Sequence, residues 1–299
     1  MKSKLFTGAL LAACFFTLVW CGALHAYEKT LVLTKADLEN AGASSLVLLF
    51  NIDAAKVTML TSADKDVIVK AVVEYSDPRL EPTLEQSSLS GGVYTANFES
   101  GSIEWPPYPK PPQLVHTWTI TLGSYDTDTN LEIDLDAVFS NIDLGSLPLT
   151  GLNLDLDATY ASIDFSTPTT REASAVSVDS DASYLSMTNI GNTDFSRFLL
   201  ELDASITVLD FQGTYSMGEH EITATADAAA LYAFLPMEDG EHVRVLSDLA
   251  AVMITGEGWE KVVRTPQYKE YITEDYESQA VHLNLGIDAD ASAISLNRD

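Results

Sequence analysis

Apolar and polar positions alternate along most of this chain. In the run 153–165, NLDLDATYASIDF, Leu154 and Leu156 alternate with Asp155 and Asp157, and Ile163 and Phe165 flank Asp164. A period of two predicts strands with one buried face. The same phrase recurs. Segments ending in an aspartate followed by alanine place Asp136, Asp157, Asp181, Asp203, Asp227 and Asp290 at equivalent positions, the first four steps being 21, 24, 22 and 24 residues. Asp248, in the looser copy VRVLSDLA, lies 21 beyond Asp227, and Asp290 lies 42 beyond Asp248. A second short alternation follows each aspartate, as in SNIDL (140–144), ASIDF (161–165) and SITVLDF (205–211). The small residue between the two strands (Ala137, Ala158, Ala182, Ala204) marks a sharp bend. An earlier copy carries Asp53 and Ala54, and strands are also expected at 66–75, 93–98 and 116–122. The one helix candidate is Lys35 to Asn40.

A two-strand repeat of this length cannot bury its own apolar face, whereas stacked copies can. The expected fold is therefore all-β: a single-stranded β-solenoid, or β-helix-like roll, built from two-strand coils of ~22 residues, with roughly ten or eleven coils between 46 and 296. Folding of the same strands as antiparallel hairpins into a sandwich is the alternative. Two insertions interrupt the pattern. Residues 101–113, GSIEWPPYPKPPQ, hold five of the eleven prolines and must lie outside any sheet centre. Residues 264–280 carry Tyr268, Tyr271 and Tyr276 and account for the doubled step.

The first 26 residues differ from the rest. Lys2 and Lys4 precede an uncharged, mostly apolar run from Leu5 to Leu24, and Ala26 is small enough to precede a cleavage site. This reads as an export signal that leaves Tyr27 as the new N-terminus. An uncleaved membrane anchor and lipidation at Cys14, after Leu11-Ala12-Ala13, are the rival readings. A lipidation site at Cys21, behind the bulky Trp20, is the weaker variant. All of them put the body of the chain outside the cytoplasm, in the periplasm, at the cell surface or secreted. The expected organisation is a signal at 1–26, a lead-in at 27–45, and a repeat domain at 46–299 with insertions at 101–113 and 264–280.

The segments NIDAAKVTML, LEIDLDAVFSNIDL, LDLDATYASIDF and LGIDADASAISL, behind an export signal, resemble the bacterial putative-adhesin family of β-strand-repeat proteins, the toastrack and GIN-type head domains. The resemblance covers about 46–296. It implies an exported, right-handed solenoid-like domain acting in surface adhesion or envelope sensing, and it supplies no catalytic residues. Many relatives place glycine in the bend where this chain has Asp-Ala.

Charge changes the picture next. Lysine and arginine total 16 against 44 aspartates and glutamates, a net charge of −28. This excludes a basic face for nucleic acid or anionic lipid. Both cysteines, Cys14 and Cys21, fall in the N-terminal segment, so neither a disulfide framework nor a thiolate metal site is available in the body of the chain. The repeat aspartates Asp134, Asp136, Asp155, Asp157, Asp179 and Asp181 occupy the polar phase of their strands and would stack about 5 Å apart, repelling by roughly 0.8 kcal/mol per pair at water's dielectric. Such columns are candidates for calcium, which accepts several carboxylate oxygens in flexible geometry; a solvated face that keeps a flat sheet soluble is the competing reading. Asp143, Asp164 and Asp210 would form a further column. Trp105 and Tyr108, stiffened by prolines, are candidates for contacting a protein or glycan partner, against the reading that their loop caps the stack. The four histidines beyond residue 26 are scattered, no pair has metal-ligand spacing, and no nucleophile elbow or phosphate loop is present. The functional expectation is a non-enzymatic, adhesin-like binding or scaffolding module at the cell envelope, without a cofactor other than calcium. A membrane-anchored envelope-stress sensor and a carbohydrate-active β-helix enzyme are the alternatives.

Overall fold

The computed structural model describes residues 27–298 except 90, 102–115, 238, 249 and 266. The chain enters through β1 (Tyr27–Thr34) and the short helix α1 (Lys35–Ala41). The helix lies where the sequence placed it, capped by reciprocal bonds between Thr34 and Asp37 and ended by the left-handed Gly42. Then come β2 (Ser45–Asp53), β3 (Ala55–Thr61), β4 (Val67–Tyr75), β5 (Thr83–Leu89), β6 (Val93–Glu99) and β7 (His116–Leu122). A regular series follows, two strands at a time: β8 (Asp128–Asp136) and β9 (Phe139–Asp143), β10 (Leu149–Asp157) and β11 (Tyr160–Asp164), β12 (Val176–Asp181) and β13 (Tyr184–Thr188), β14 (Arg197–Asp203) and β15 (Ile206–Asp210), β16 (Gly218–Asp227) and β17 (Ala230–Leu235), β18 (Gly240–Asp248) and β19 (Ala251–Gly256). The chain ends with β20 (Trp259–Arg264), β21 (Tyr268–Thr273), β22 (Val281–Asp290) and β23 (Ala293–Arg298).

These strands form two large sheets and no closed barrel. Sheet A has 11 strands in the order β1-β4-β7-β3-β9-β11-β13-β15-β17-β23-β19, and sheet B has 12 in the order β20-β21-β18-β22-β16-β14-β12-β10-β8-β2-β6-β5. Each two-strand unit gives its first strand to sheet B and its second to sheet A. Units pair in parallel, and equivalent residues fall in register: Leu154 faces Ile133 and Val178, and Ile163 faces Ile142 and Met187. The antiparallel hairpins of the alternative fold are confined to the ends, where β4, β5 and β21 pair antiparallel with β7, β6 and β18.

Inward residues of both sheets make one core. Leu131, Leu135, Leu156, Ile163 and Phe165 are fully buried, and near one end Phe50 stacks on Phe98 with centroids 4.9 Å apart. Burying one such side chain contributes roughly 1.5–3 kcal/mol.

Two features depart from expectation. There are nine parallel units among the described residues, fewer than ten or eleven, because five strands serve as antiparallel ends. The stacking order also leaves chain order at both ends: β6/β7 lies outside β2/β3, and the final unit β22/β23 inserts between β16/β17 and β18/β19. The insertion 264–280 is the reason at the second end. It folds β21 back onto β18, closing that side of sheet B, and leaves the inner position free for the last unit. The proline-rich insertion, with Trp105 and Tyr108, lies outside the described residues apart from Gly101, as does the N-terminal 1–26 segment.

Candidate functional site: a carboxylate ladder on sheet B

In seven of the nine units the corner between the two strands is built from three residues: the aspartate, an alanine, and a third residue that turns inward. The alanine is left-handed, with φ of 46° at Ala54 and 50–56° at Ala137, Ala158, Ala182, Ala204, Ala228 and Ala291. That conformation turns the chain from one sheet to the other in a single residue. It also lets the alanine N–H continue the ladder, as Ala158 N–H donates to the Asp181 carbonyl at 3.0 Å.

The inward residue is a hydroxyl in four units. The Ser183 Oγ accepts from the Thr159 N–H (2.8 Å) and donates to the Leu156 and Asp181 carbonyls (2.9 Å each). Thr159, Ser205 and Ser292 make the same kinds of bond, so buried corner amides are satisfied by the adjacent unit. This hydroxyl ladder is not part of the expectation above, although its signal, a Ser or Thr directly after Asp-Ala, is present in the sequence.

The corner fixes where the aspartates point. Asp53, Asp136, Asp157, Asp181, Asp203, Asp227, Asp290 and Asp248 form one unbroken column of eight in register along the edge of sheet B. Two residues earlier in each strand, Asp134, Asp155, Asp179 and Glu201 make a second column. The six aspartates singled out from sequence therefore do come together, as three facing rungs of two adjacent columns. Among the described residues no lysine or arginine pairs with any of the six.

Crowding shows in their protonation. Asp134, Asp155 and Asp179 have raised pKa values, first through loss of solvation and then through neighbouring carboxylates; for Asp155 these are Asp134 and Asp157. Asp53 is raised for the same reasons, with Asp136 and Glu99 as its neighbours.

A shallow hollow of about 270 Å³ opens over these columns, lined by Asn51, Asn97, Glu132, Asp134, Asn153 and Asp155 among others. Carboxylates and amides side by side can hold hydrated cations or hydroxyl groups. They do not converge: no group of three or more His, Cys, Asp or Glu side chains forms a metal-sized cage among the described residues.

Asp143 and Asp164 behave differently. They face each other across β9 and β11, but Asp143 accepts from Ser166 Oγ (2.9 Å) and Gly145 N–H (3.0 Å), and Asp164 from Thr188 Oγ1 and Asn189 Nδ2 (2.7 Å each). Thr188 stands opposite Asp164 on β13, and Asp210 accepts from the Gln212 N–H. The expected column of these three is thus interrupted at Thr188, and the carboxylates of Asp143 and Asp164 are engaged by hydroxyl and amide donors of the next unit.

A second ladder lies beside the carboxylates, on the outer face of sheet A. Phe139, Tyr160 and Tyr184 stack with centroids 4.9 and 4.7 Å apart and interplanar angles of 5° and 9°. Each is three residues beyond a repeat aspartate, a spacing legible in the sequence. Tyr160 has a ring against each of its faces, so a sugar cannot stack on it as on a lone exposed ring. The ladder stabilises the sheet through cross-strand contact.

The four described histidines lie apart, each with its own partners. His220 packs against Phe195 and Tyr215, and His282 stacks on Tyr276. His242 bonds Glu270 at 2.8 Å. Burial lowers the pKa of His116 to about 4, against a hydrogen bond to the Leu80 backbone that raises it.

Sheets, corners and columns together define a class: an all-β repeat protein with two parallel-stacked sheets and an acidic outer face. No family model and no curated protein matches the chain. Among solved structures it is similar to one described as a "putative cell adhesion protein" from Clostridium sporogenes, at 14% identity and a TM-score of 0.48, over 91% of this chain and 99% of that one. A "putative adhesin" from Parabacteroides merdae aligns at 10% identity and a TM-score of 0.21, over 92% and 97%. At these values neither likeness defines a shared fold. No helix among the described residues is long and apolar enough to cross a membrane.

Proposed function

We propose that the chain is an exported β-solenoid that acts without catalysis, as an adhesin-like binding or scaffolding module at the bacterial cell envelope. The observation that carries this reading is the eight-rung aspartate column with its partner column. A rigid array of like charges at one strand spacing presents the same chemistry many times over. That suits avid attachment to an extended, repeating partner better than turnover of a small substrate. The partner in this reading is a surface protein or glycan, engaged directly through cationic groups or through calcium held along the columns.

The test compares the natural chain with Asp134→Asn/Asp155→Asn/Asp179→Asn on immobilised glycans and matrix proteins, with and without millimolar calcium. The natural chain should be retained on at least one surface and the triple variant released from it. Equal retention of the two would remove the columns from the binding role. Calcium that neither changes retention nor shifts the melting temperature would remove calcium. Mass spectrometry of the mature N-terminus separates the released module (Tyr27 first) from an anchored sensor (Met1 or Lys2 first).

A further inference from the structure

We propose that a hollow on the outer face of sheet B, centred on Gly286, binds one sugar residue of a neutral glycan.

Gly286 lies in the interior of β22, where a glycine weakens a strand and marks a bulge, a close backbone approach or a ligand. The first two account for Gly151 on β10: the register with β8 shifts there, and an added Cβ would collide with the Asn130 side chain. Neither accounts for Gly286. β22 keeps unbroken register with β16 and with β18. The backbone of Gly286 is not left-handed, and the nearest atom to an added Cβ is the Ile222 carbonyl oxygen at 4.0 Å. Nothing local forbids a side chain, so the glycine leaves a notch in the row Thr223, Gly286, Arg244, Glu270. The notch lies where the second carboxylate column has given way to Thr225, which follows Glu201 in register.

The notch opens a hollow of about 110 Å³, bordered by Glu221, Thr223, His242, Arg244 and Asn284. Its polar walls are held from behind. His242 Nε2 bonds Glu270 at 2.8 Å, and Arg244 Nε donates to the same Glu270 oxygen at 3.3 Å. Tyr276 Oη donates to Asn284 Oδ1 at 2.9 Å, which orients the amide with Nδ2 as donor. The guanidinium of Arg244, the Asn284 amide, the Thr223 hydroxyl and the Glu221 carboxylate thus set donors and acceptors around a floor of bare strand backbone.

The chemistry of the walls selects the ligand. Glu221 pairs with Arg197 at 3.4 Å, and Glu270 with Arg244 and His242. A cation would have to displace Arg197. An anion would face Glu221 and a whole-chain charge of −28. A peptide main chain adds at a sheet edge, whereas β22 is flanked by a strand on each side. A neutral sugar meets both demands of the hollow. Its hydroxyls both donate and accept, and one face of its ring can lie on the floor that Gly286 leaves bare.

The test is an NMR titration of the isotope-labelled full chain. The probes are neutral oligosaccharides (maltotriose, cellotriose, mannotriose and N-acetylchitotriose), with glucuronate and glucosamine as charged sugars of the same ring size. At least one neutral probe should shift the Gly286 backbone amide and the Asn284 side-chain amide saturably, and bind more tightly than either charged sugar. Gly286→Val fills the hollow and should lose these shifts, with a melting temperature equal to or above that of the natural chain, since valine favours strands. Thr223→Val keeps the shape, removes one hydroxyl and should weaken binding about fivefold. Asp134→Asn/Asp155→Asn/Asp179→Asn should bind as the natural chain does, so the hollow and the columns stand or fall separately. The proposal is overturned if no neutral probe moves the two amides, if a charged sugar binds more tightly, or if Gly286→Val still binds. Unchanged affinity of Thr223→Val overturns it even where Gly286→Val proves unstable.

Discussion

Seven alanines hold the left-handed conformation that glycine adopts freely, at a cost of about 1–2 kcal/mol each. The turn demands positive φ, and the neighbouring units enforce it through the corner ladder. Ala158→Gly is expected to stabilise the protein, because relief of strain outweighs the extra chain entropy of glycine, for a net gain of about 0.5–1 kcal/mol by chemical denaturation. A loss of stability there would mean that the alanine methyl is needed for packing. A second residue-scale feature lies at the far end of the stack. Arg298 and Glu241 are buried at 6% and 0% exposure, with Nε 2.8 Å from Oε2. The Arg298 guanidinium also donates to the carbonyls of Glu257, Met237 and Asp239. Burial pushes the Glu241 carboxyl up to about 8, against the pull of Arg298. An acid whose folded pKa lies above its unfolded 4.5 contributes stability that is present at low pH and lost as pH rises through about 8. His116, lowered to about 4, acts oppositely: its contribution is present above 6.5 and lost as pH falls. Glu241→Gln removes only the first effect. Its melting temperature should fall less than that of the natural chain between pH 5 and pH 8, and parallel curves would contradict the assignment.

Among the elements, the two-strand unit was the most legible part of the sequence, because period-two alternation and a ~22-residue recurrence reinforce each other. Leu154, Leu156 and Ile163 could hardly face anything but a core, and the aspartates between them could hardly do anything but line up. The unit's corner was half legible: Ala158 was visible as a bend, while Thr159 and Ser183, which satisfy the buried amides, look like ordinary polar residues until the neighbouring unit is in place. Asp143 and Asp164 share the alternation of the other aspartates yet accept from donors of the next unit, and only the positions of Ser166, Thr188 and Asn189 tell the two groups apart. The exposed columns act on stability through repulsion that salt screens. Asp134→Asn/Asp155→Asn/Asp179→Asn should raise the melting temperature at low ionic strength, and the gain should shrink at 1 M salt. A variant that melts lower at every salt concentration would show that these carboxylates hold the fold through contacts and not only crowd it.

At the scale of the whole molecule, the charge of −28 is ordered. Bases gather toward the two ends, while the middle units present aspartate columns with almost no counter-charge. The stacking order was not legible. The copies ending at Asp248 and Asp290 carry similar alternation, and nothing local tells which will sit beside Asp227. The choice falls to Asp290 because β21 folds back on β18 and occupies the outer flank of sheet B. The central claim, that each unit adds one parallel strand spacing in the order of the sheets, is tested most directly by electron–electron distances. Spin labels would pair position 53 in turn with 203, 227, 290 and 248. At ~4.8 Å per strand, the mean distances should rise through about 19, 24, 29 and 34 Å, with 248 farther than 290. Distances that fail to rise along this series, or a position 248 nearer than 290, would contradict it.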